Sequence, residues 1–534
     1  MRQSQGISAA AALVLCTSLA GSAAGQARQA DVLITGGLIY DGSTAKPFVG
    51  DVAITGDRIT YVGPRARMSI RRTIDAHDMI VSPGLIDAHT HADHFLDSPD
   101  RSQRANPAWT MQGVSTVFLG VDGNGTPGLR AEFDRYRRQG IGTNIVSYVG
   151  FGAVRRAVLG DAARAPTPAE LRKEEALVAQ GMCQGAIGLS AGLFYAPQSF
   201  ARTEEVIALA KEAAKRGGLY DTHQRDESTY SIGLLASTRE VLRIGREGGL
   251  SVHISHIKAL GHDVWGKSVD VIKLIDAAQA AGQNVTANQY PWLASNTGLD
   301  AALVPRWAAD GGTAAMLKRF QDPAALPRIK AGMAKNLARR GGANTILLSP
   351  ADAGHNAWSG KYLSDIASQW RLDPLDAAIR ILRESKGSAA VISFNIAEPD
   401  VENFMKQSWV VTSSDGNPGH PREYATFQTK YWVYVKQKHV IDTAFFIRHS
   451  SGLTADIFGL DRRGYLRPSY FADVLVFDPR NYRPRADYAH PAVLSQGVRE
   501  LFVNGIAEVD DGKPTGATAG RPLPHAPRPG SCQK

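Results

Sequence analysis

Two kinds of apolar patterning divide this chain. Near the N-terminus, short β-branched runs alternate with Gly and Asp punctuation: Val32-Leu33-Ile34-Thr35, Leu38-Ile39-Tyr40, Val52-Ala53-Ile54 and Ile59-Thr60-Tyr61-Val62, with Gly36-Gly37, Asp41-Gly42 and Gly56-Asp57 between them. Such runs read as strands joined by tight turns. The same texture returns in Val474-Leu475-Val476-Phe477 and over 498–503, which leads into Asn504-Gly505. One small β-domain built from both chain ends, 28–81 plus 465–512, accounts for both stretches.

In the middle, continuous apolar runs alternate with amphipathic stretches, as βα units and a parallel sheet require. After a first run at 84–88, strands are expected at 115–120, 144–149, 185–189, 219–223, 251–256, 284–290 and 409–413. Thr167-Pro168-Ala169-Glu170 is a capping box with Pro in the first turn and opens a helix. Further helices are expected at 203–215, 237–247 and 269–280. The count approaches the eight strands of a (β/α)8 barrel, a fold of about 250 residues and more with insertions. Residues 294–347 break the alternation and read as an insertion, a lid over the site. The fold class is therefore α/β: a TIM-like barrel over 82–464 joined to the composite β-domain. The tail 513–534, rich in Pro, Gly and Arg, reads as mobile.

Composition adds bounds rather than chemistry. The chain has 534 residues, 43% hydrophobic and 21% charged, with a formal net charge of +9. No basic block with interleaved aromatics marks a nucleic-acid surface, so the charge reads as a solvated face. Arg2, the apolar run Ala9–Cys16 and the small residues to Ala27 make a cleavable signal peptide over 1–27. The run is too short to span a bilayer, so a secreted, periplasmic protein without a stable membrane anchor is expected. Beyond it only Cys183 and Cys532 remain, and no disulfide framework is expected.

Candidate chemistry lies where the expected strands end. His89 and His91 close the first run two residues apart; in a strand, such residues share a face and can share a metal ion, with Asp87 or Asp93 near enough to orient them. Later runs end at Asp122, His223, His256 and Asp415. Barrel active sites form at the C-terminal ends of strands, so six potential ligands from five strands arrive at one rim. Imidazole with carboxylate suits one or two Zn2+ ions, and manganese, iron or cobalt also fit.

These residues resemble the amidohydrolase superfamily and, more narrowly, the D-aminoacylase (N-acyl-D-amino-acid deacylase) family. The resemblance runs from the first β-unit to about Pro479. It is carried by Pro83-Gly84-Leu85-Ile86-Asp87-Ala88-His89-Thr90-His91, by the run from Gly185 to Tyr195, and by Ile254-Ser255-His256-Ile257-Lys258. Gln289-Tyr290-Pro291-Trp292, Ser414-Asp415-Gly416 and the run from His420 to Phe427 complete it. The resemblance implies that His89 and His91 serve one metal position and His223 and His256 the other. Asp122 stands where the family's bridging cysteine is usual. Asp415 would take a proton from water and return it to the departing amine nitrogen.

The same resemblance gives Lys258 and Arg422 the substrate carboxylate, Arg422 as a bidentate partner. Tyr195 and Tyr290 become hydrogen-bond partners of the carboxylate or acyl carbonyl. Its implied reaction is hydrolysis of a small N-acyl-D-amino acid or related peptide. The alternative is a dipeptide, cyclic amide or lactone hydrolase, and a rival of another class is a silent envelope protein that binds ligand or metal. The strand at 185–189 offers no lysine for the carboxylated bridge of hydantoinases. Departures from the family pattern are Phe151 in place of a histidine, Asn288 in place of an aspartate, Asn296 in place of a serine, and a short loop from Asp415 to His420.

Overall fold

The structure is a computed structural model and describes residues 29–350 and 357–532; the expected signal peptide lies outside the described residues. Three parallel strands come first: Leu85–Asp87, Val114–Leu119 and Asn144–Ser147. The third continues past Tyr148 into Val149–Gly150, which begins a second parallel sheet. That sheet carries on through Gly188–Gly192, Leu219–His223, Val252–Ile254, Val285–Gln289 and Val410–Thr412. Beyond the strand ends, a parallel bridge between Thr90 and Gly416 and the bond from Asp415 N–H to the His89 carbonyl (2.9 Å) join last to first and close the barrel.

These strands form where the sequence is apolar across both faces. All six residues of Val114–Leu119 are buried, as is usual for a barrel strand covered by helices. The capping box is realised in Pro168–Cys183, where Thr167 and Glu170 satisfy each other's orphan N–H groups. One strand lies three residues later than its apolar run suggests. Ala186 N–H bonds the Gly181 carbonyl and Gly185 has φ +110°, so this stretch closes the preceding helix and the strand starts only at Gly188.

The β-domain is a nine-stranded sheet stitched from both chain ends. Ile80–Pro83 pairs antiparallel with Val474–Phe477, so the two halves share one core. Gly36-Gly37, expected as a turn, is instead an irregularity inside a single strand Gln29–Ile39, whose register against Phe48–Thr55 shifts between Ile34 and Gly37. The excursion expected over 294–347 is larger. Ala294–Gly298, Ile346–Leu348 and Ala390–Phe394 form a three-stranded antiparallel sheet, and helices between them bury their own core around Leu299, Met333, Leu363 and Leu382.

Two expectations about the underside are corrected. The tail, expected to be mobile, is bonded to the barrel over its described residues: Gly520 N–H bonds the Ile141 carbonyl (2.8 Å), Leu523 N–H that of Ile145 (2.8 Å) and His525 N–H that of Gly185 (3.0 Å). Cys532 then forms a disulfide with Cys183, 349 residues away in sequence, where no disulfide was expected. The tail's open main-chain groups pair with the barrel's lower edge, which brings the last cysteine to the helix end at Cys183. Among the described residues, no helix is long and apolar enough to cross a membrane.

Candidate active site

Each expected ligand sits just beyond a barrel strand. His89 and His91 follow Leu85–Asp87, Asp122 follows Val114–Leu119, His223 ends Leu219–His223, His256 follows Val252–Ile254, and Asp415 follows Val410–Thr412. Asp122, His256 and Asp415 adopt φ of +55°, +35° and +48°. Backbone in this region costs a non-glycine residue of order 1–3 kcal/mol and persists where surroundings enforce it. Around Asp122 the enforcement is visible. Gln198 Nε2 donates to the Asp122 carbonyl (2.9 Å) and the Ser190 hydroxyl accepts from Gly123 N–H (3.1 Å). A Cβ at Gly123, itself at φ +79°, would lie 2.2 Å from the Gln198 side chain.

The six side chains converge as two sets that share Asp122: His89, His91, Asp122 and Asp415, and Asp122, His223 and His256, with all ligand atoms of a set within 4.8 Å of one another. Asp122 Oδ1 lies 3.6 Å from Nε2 of both His89 and His256 and 3.9 Å from His223 Nδ1, while Oδ2 is 3.5 Å from His91 Nε2. Asp415 Oδ1 stands 3.3 Å from His91 Nε2. These separations lie beyond the usual N–H···O range of about 2.7–3.2 Å. His89 Nε2, His223 Nδ1 and Asp122 Oδ1 are buried without any partner. Buried polar atoms of a folded protein normally find one, and here they point at common spaces between imidazole and carboxylate. The donor set fits one or two divalent ions.

The electrostatics agree. Burial works against protonated His91, yet Asp122 and Asp415 outweigh it and hold its pKa up to about 10. Burial and Lys258 oppose protonation of His256, and Asp415, Glu227 and Asp122 overcome them, lifting it to about 9. His223, dominated by burial, is pushed down to about 3. Asp415 remains far below the usual carboxylate range despite burial, because Arg422 and His256 lie beside it. Buried carboxylates that hold protons on their histidines form a site deficient in positive charge, which a divalent cation supplies as those protons leave.

The other predicted residues separate into those on the cavity and those behind it. A cavity of about 440 Å3 opens over the ligands and is lined by Tyr195, Lys258, Tyr290 and Asn296, but not by Arg422. Lys258 Nζ bonds Glu227 Oε1 (2.8 Å) and His256 Nδ1 (2.7 Å). Tyr290 is buried with its hydroxyl unpartnered, and the Tyr195 hydroxyl accepts from Thr297 at 3.4 Å. Arg422 lies behind Asp415, 2.9 Å from its Oδ2 and 3.3 Å from Asn417 Oδ1. His420 Nδ1 accepts from Arg422 N–H, a local contact at the start of helix Arg422–Thr429.

Asp87 and Asp93 do not orient the imidazoles. Asp87 accepts from the backbone N–H of Ser414 and the indole of Trp109, which ties the first strand to the last. Asn288 is explained by its neighbours: Oδ1 accepts from His256 N–H and Ser413, and Nδ2 donates to His253 Nε2 (3.0 Å), a donation that an aspartate could not make. Phe151 is fully buried in the core and stays off the cavity.

Glu227 was missed by the sequence reading. It is buried, 3.2 Å from His256 Nδ1 and 3.6 Å from His223 Nε2, and Lys258, His223 and His256 hold it down to about 2 against burial. Its only sequence signal is an acid four residues after His223, on a loop with no periodicity to fix its direction.

No protein-family model matches the chain. It is 31% identical to the D-aminoacylase of Alcaligenes xylosoxydans xylosoxydans over 527 residues, covering 92% of this chain and 97% of the relative. It is also 31% identical to the N-acyl-D-aspartate deacylase of the same organism, over 92% of this chain and 94% of the relative. Among solved structures, the N-acyl-D-glutamate deacylase of Bordetella bronchiseptica, complexed with zinc and a phosphonate that mimics the tetrahedral intermediate, superposes with a TM-score of 0.78. The identity there is 29%, over 93% of this chain and 100% of that one. The chain belongs to the D-aminoacylase family of the amidohydrolases.

Proposed function

We propose that the protein is a metal-dependent hydrolase that cleaves the amide of N-acyl-D-amino acids, releasing a carboxylate and a free D-amino acid. The observation that carries the reading is the pair of ligand sets sharing Asp122 beneath the cavity. His89, His91, Asp122 and Asp415 would hold one zinc ion, and Asp122, His223 and His256 a second. An ion held there polarises the scissile carbonyl and acidifies water, so that a nucleophile exists near neutral pH.

The chain's own groups do the rest. Asp415 is ionised, and its Oδ1 lies at the cavity floor, where it takes a proton from water and hands it to the amine nitrogen as the C–N bond breaks. Arg422 is the residue that positions it: the ion pair on Oδ2 turns Oδ1 toward His89 and His91, where it would serve both the ion and the proton transfer. Tyr290, with a hydroxyl that has no protein partner, donates to the acyl oxygen or the substrate carboxylate. Lys258 supplies positive charge to the same carboxylate, and Glu227 holds it beside His256.

Export to the periplasm belongs to the same proposal. The Cys183–Cys532 disulfide supports it, since such bonds persist in oxidising compartments. Amine release from N-acetyl-D- and N-acetyl-L-amino acids by zinc-loaded protein tests the activity. D-selective release is expected. No release from either series, or a preference for L, would overturn the reading.

A further inference from the structure

Two departures from the family pattern, Asn296 and the short loop from Asp415 to His420, touch each other in the structure. Asn296 stands on Ala294–Gly298, the first strand of the insertion, and its Nδ2 donates to Asn417 Oδ1 (2.9 Å). Two residues earlier on that strand, the Ala294 carbonyl lies 3.3 Å from His420 Nε2. Burial, and then Arg422, hold His420 well below the ordinary histidine range, so it is neutral. Its Nε2–H gives to Ala294 while Nδ1 takes the Arg422 N–H at 3.0 Å. The insertion strand thus grips the loop at two points, on either side of Pro418-Gly419.

The amide orientations follow from Arg422, whose guanidinium can only donate. Its Nη2 faces a terminal atom of Asn417 at 3.3 Å, so that atom is the oxygen. The same oxygen meets Asn296, which must therefore turn its nitrogen there. Asn417 Oδ1 accepts both bonds, and the chain beneath it is fixed. His91 N–H bonds the Gly416 carbonyl (3.0 Å), and Gly416 N–H bonds Ser414 Oγ (3.0 Å). A Cβ at Gly416 would fall 2.9 Å from both Ser414 Oγ and the Trp109 ring, so the loop lies tight against its neighbours.

Arg422 depends on such an anchor. Its Nη1 lies 2.9 Å from Asp415 Oδ2, and its Nε is buried without a partner. The Tyr290 ring lies 5.0 Å from the guanidinium carbon and offers a face rather than a directed acceptor. Among the described residues, the guanidinium is therefore held at Nη1 and Nη2, and the bond at Nη2 sets how its plane meets Asp415. A group that must pass a proton over a fixed distance loses rate steeply when it is displaced.

We propose that Asn417 is a positioning residue for proton transfer: its Oδ1 fixes Arg422, Arg422 fixes Asp415, and Asn296 clamps the arrangement from the insertion. This rests on the deacylase reading, which gives Asp415 its part in the reaction. Docking of the insertion then aligns the acid–base group as well as walling the cavity.

The test is a double-mutant cycle on zinc-loaded full-length protein with an N-acetyl-D-amino acid. Asn417→Leu, similar in size but without an acceptor, should lower kcat by about 10- to 100-fold. The loss should fall on kcat rather than on KM. Asn417→Asp, which keeps the acceptor, should recover most of it. In an Arg422→Met background, Asn417→Leu should cost nothing further, because the two residues act as one unit. Asn296→Leu should lose less than Asn417→Leu does, since Arg422 keeps its bond. Should Asn417→Leu not fold, Asn417→Ser, too short to reach Arg422, takes its place in the cycle.

An unchanged kcat in Asn417→Leu, no recovery in Asn417→Asp, or independent losses that multiply in the double variant would overturn the proposal. If no N-acyl-D-amino acid is turned over, the deacylase reading fails, and the cycle is read in denaturant unfolding instead. The two substitutions together should then cost less stability than the sum of each alone. Strictly additive costs would overturn the anchoring of Arg422 by Asn417 as well.

Discussion

The two ends of the barrel treat buried charge in opposite ways. At the lower end, where the third strand begins, Asp473, Arg463, Asn504 and Asn144 are all buried and fully bonded to one another. Asp473 accepts from Asn504 N–H (2.8 Å), Asn144 (3.2 Å) and Arg463, and Asn504 bridges Arg463 and Asn144 at 2.8 Å each. At the upper end, histidines and carboxylates crowd together and leave His89 Nε2, His223 Nδ1 and Asp122 Oδ1 orphaned. Both are buried polar clusters in one fold. A satisfied network specifies a junction between domains, whereas an unsatisfied one is completed by something that is not protein.

The sharpest way to break this comparison is at the upper end. Asp415→Asn should lower kcat by about 10²- to 10⁴-fold, the usual contribution of a positioned acid–base group. Activity within tenfold of wild type in steady-state assays would remove Asp415 from proton transfer. At the lower end the effect should fall on folding instead. Asp473→Ala leaves Arg463 buried and unpaired, which costs about 3–5 kcal/mol. Denaturant unfolding should show that loss, while activity per folded molecule stays the same.

Cys532→Ser sharpens the contrast further, since it frees the tail without touching the rim. A long cross-link of this kind contributes about 2–4 kcal/mol, so the Tm should fall while kcat/KM is unchanged. Smaller still is a pH effect confined to metal-free protein. His256 at about 9 and His91 at about 10 lie above the unfolded value of about 6.5. Protons held by the folded state contribute stability that is full below pH 6.5 and is lost as pH rises through 9 to 10. Metal-free protein should therefore melt lower at pH 9.5 than at pH 7. Zinc-loaded protein, with the ion in place of the protons, should not show this drop.

Much of the barrel was legible because its strands are apolar runs with punctuated ends, and Thr203–Lys215 and Leu219–His223 fall where periodicity places them. The ligands were legible for the same reason: a histidine or aspartate that closes a buried strand has one direction to point. Glu227 and Asn417 were not. Glu227 sits on an aperiodic loop, and Asn417 meets Asn296 only because an antiparallel sheet of the insertion folds over the barrel. The disulfide was hidden by distance in sequence, since pairing Cys183 with Cys532 depends on main-chain bonds of a Pro- and Gly-rich tail that carries no periodic signal. Conversely, Arg422 was placed on the substrate by resemblance, and the structure engages it with Asp415.

Metal analysis of the purified protein beside Asp122→Ala tests the central claim most directly, because Asp122 is the one side chain common to both ligand sets. The account predicts stoichiometric zinc in the wild type, one or two ions per chain, and loss of bound metal in the variant with the circular dichroism spectrum intact. Full metal occupancy in Asp122→Ala, or a wild type that binds no divalent ion at all, would contradict it.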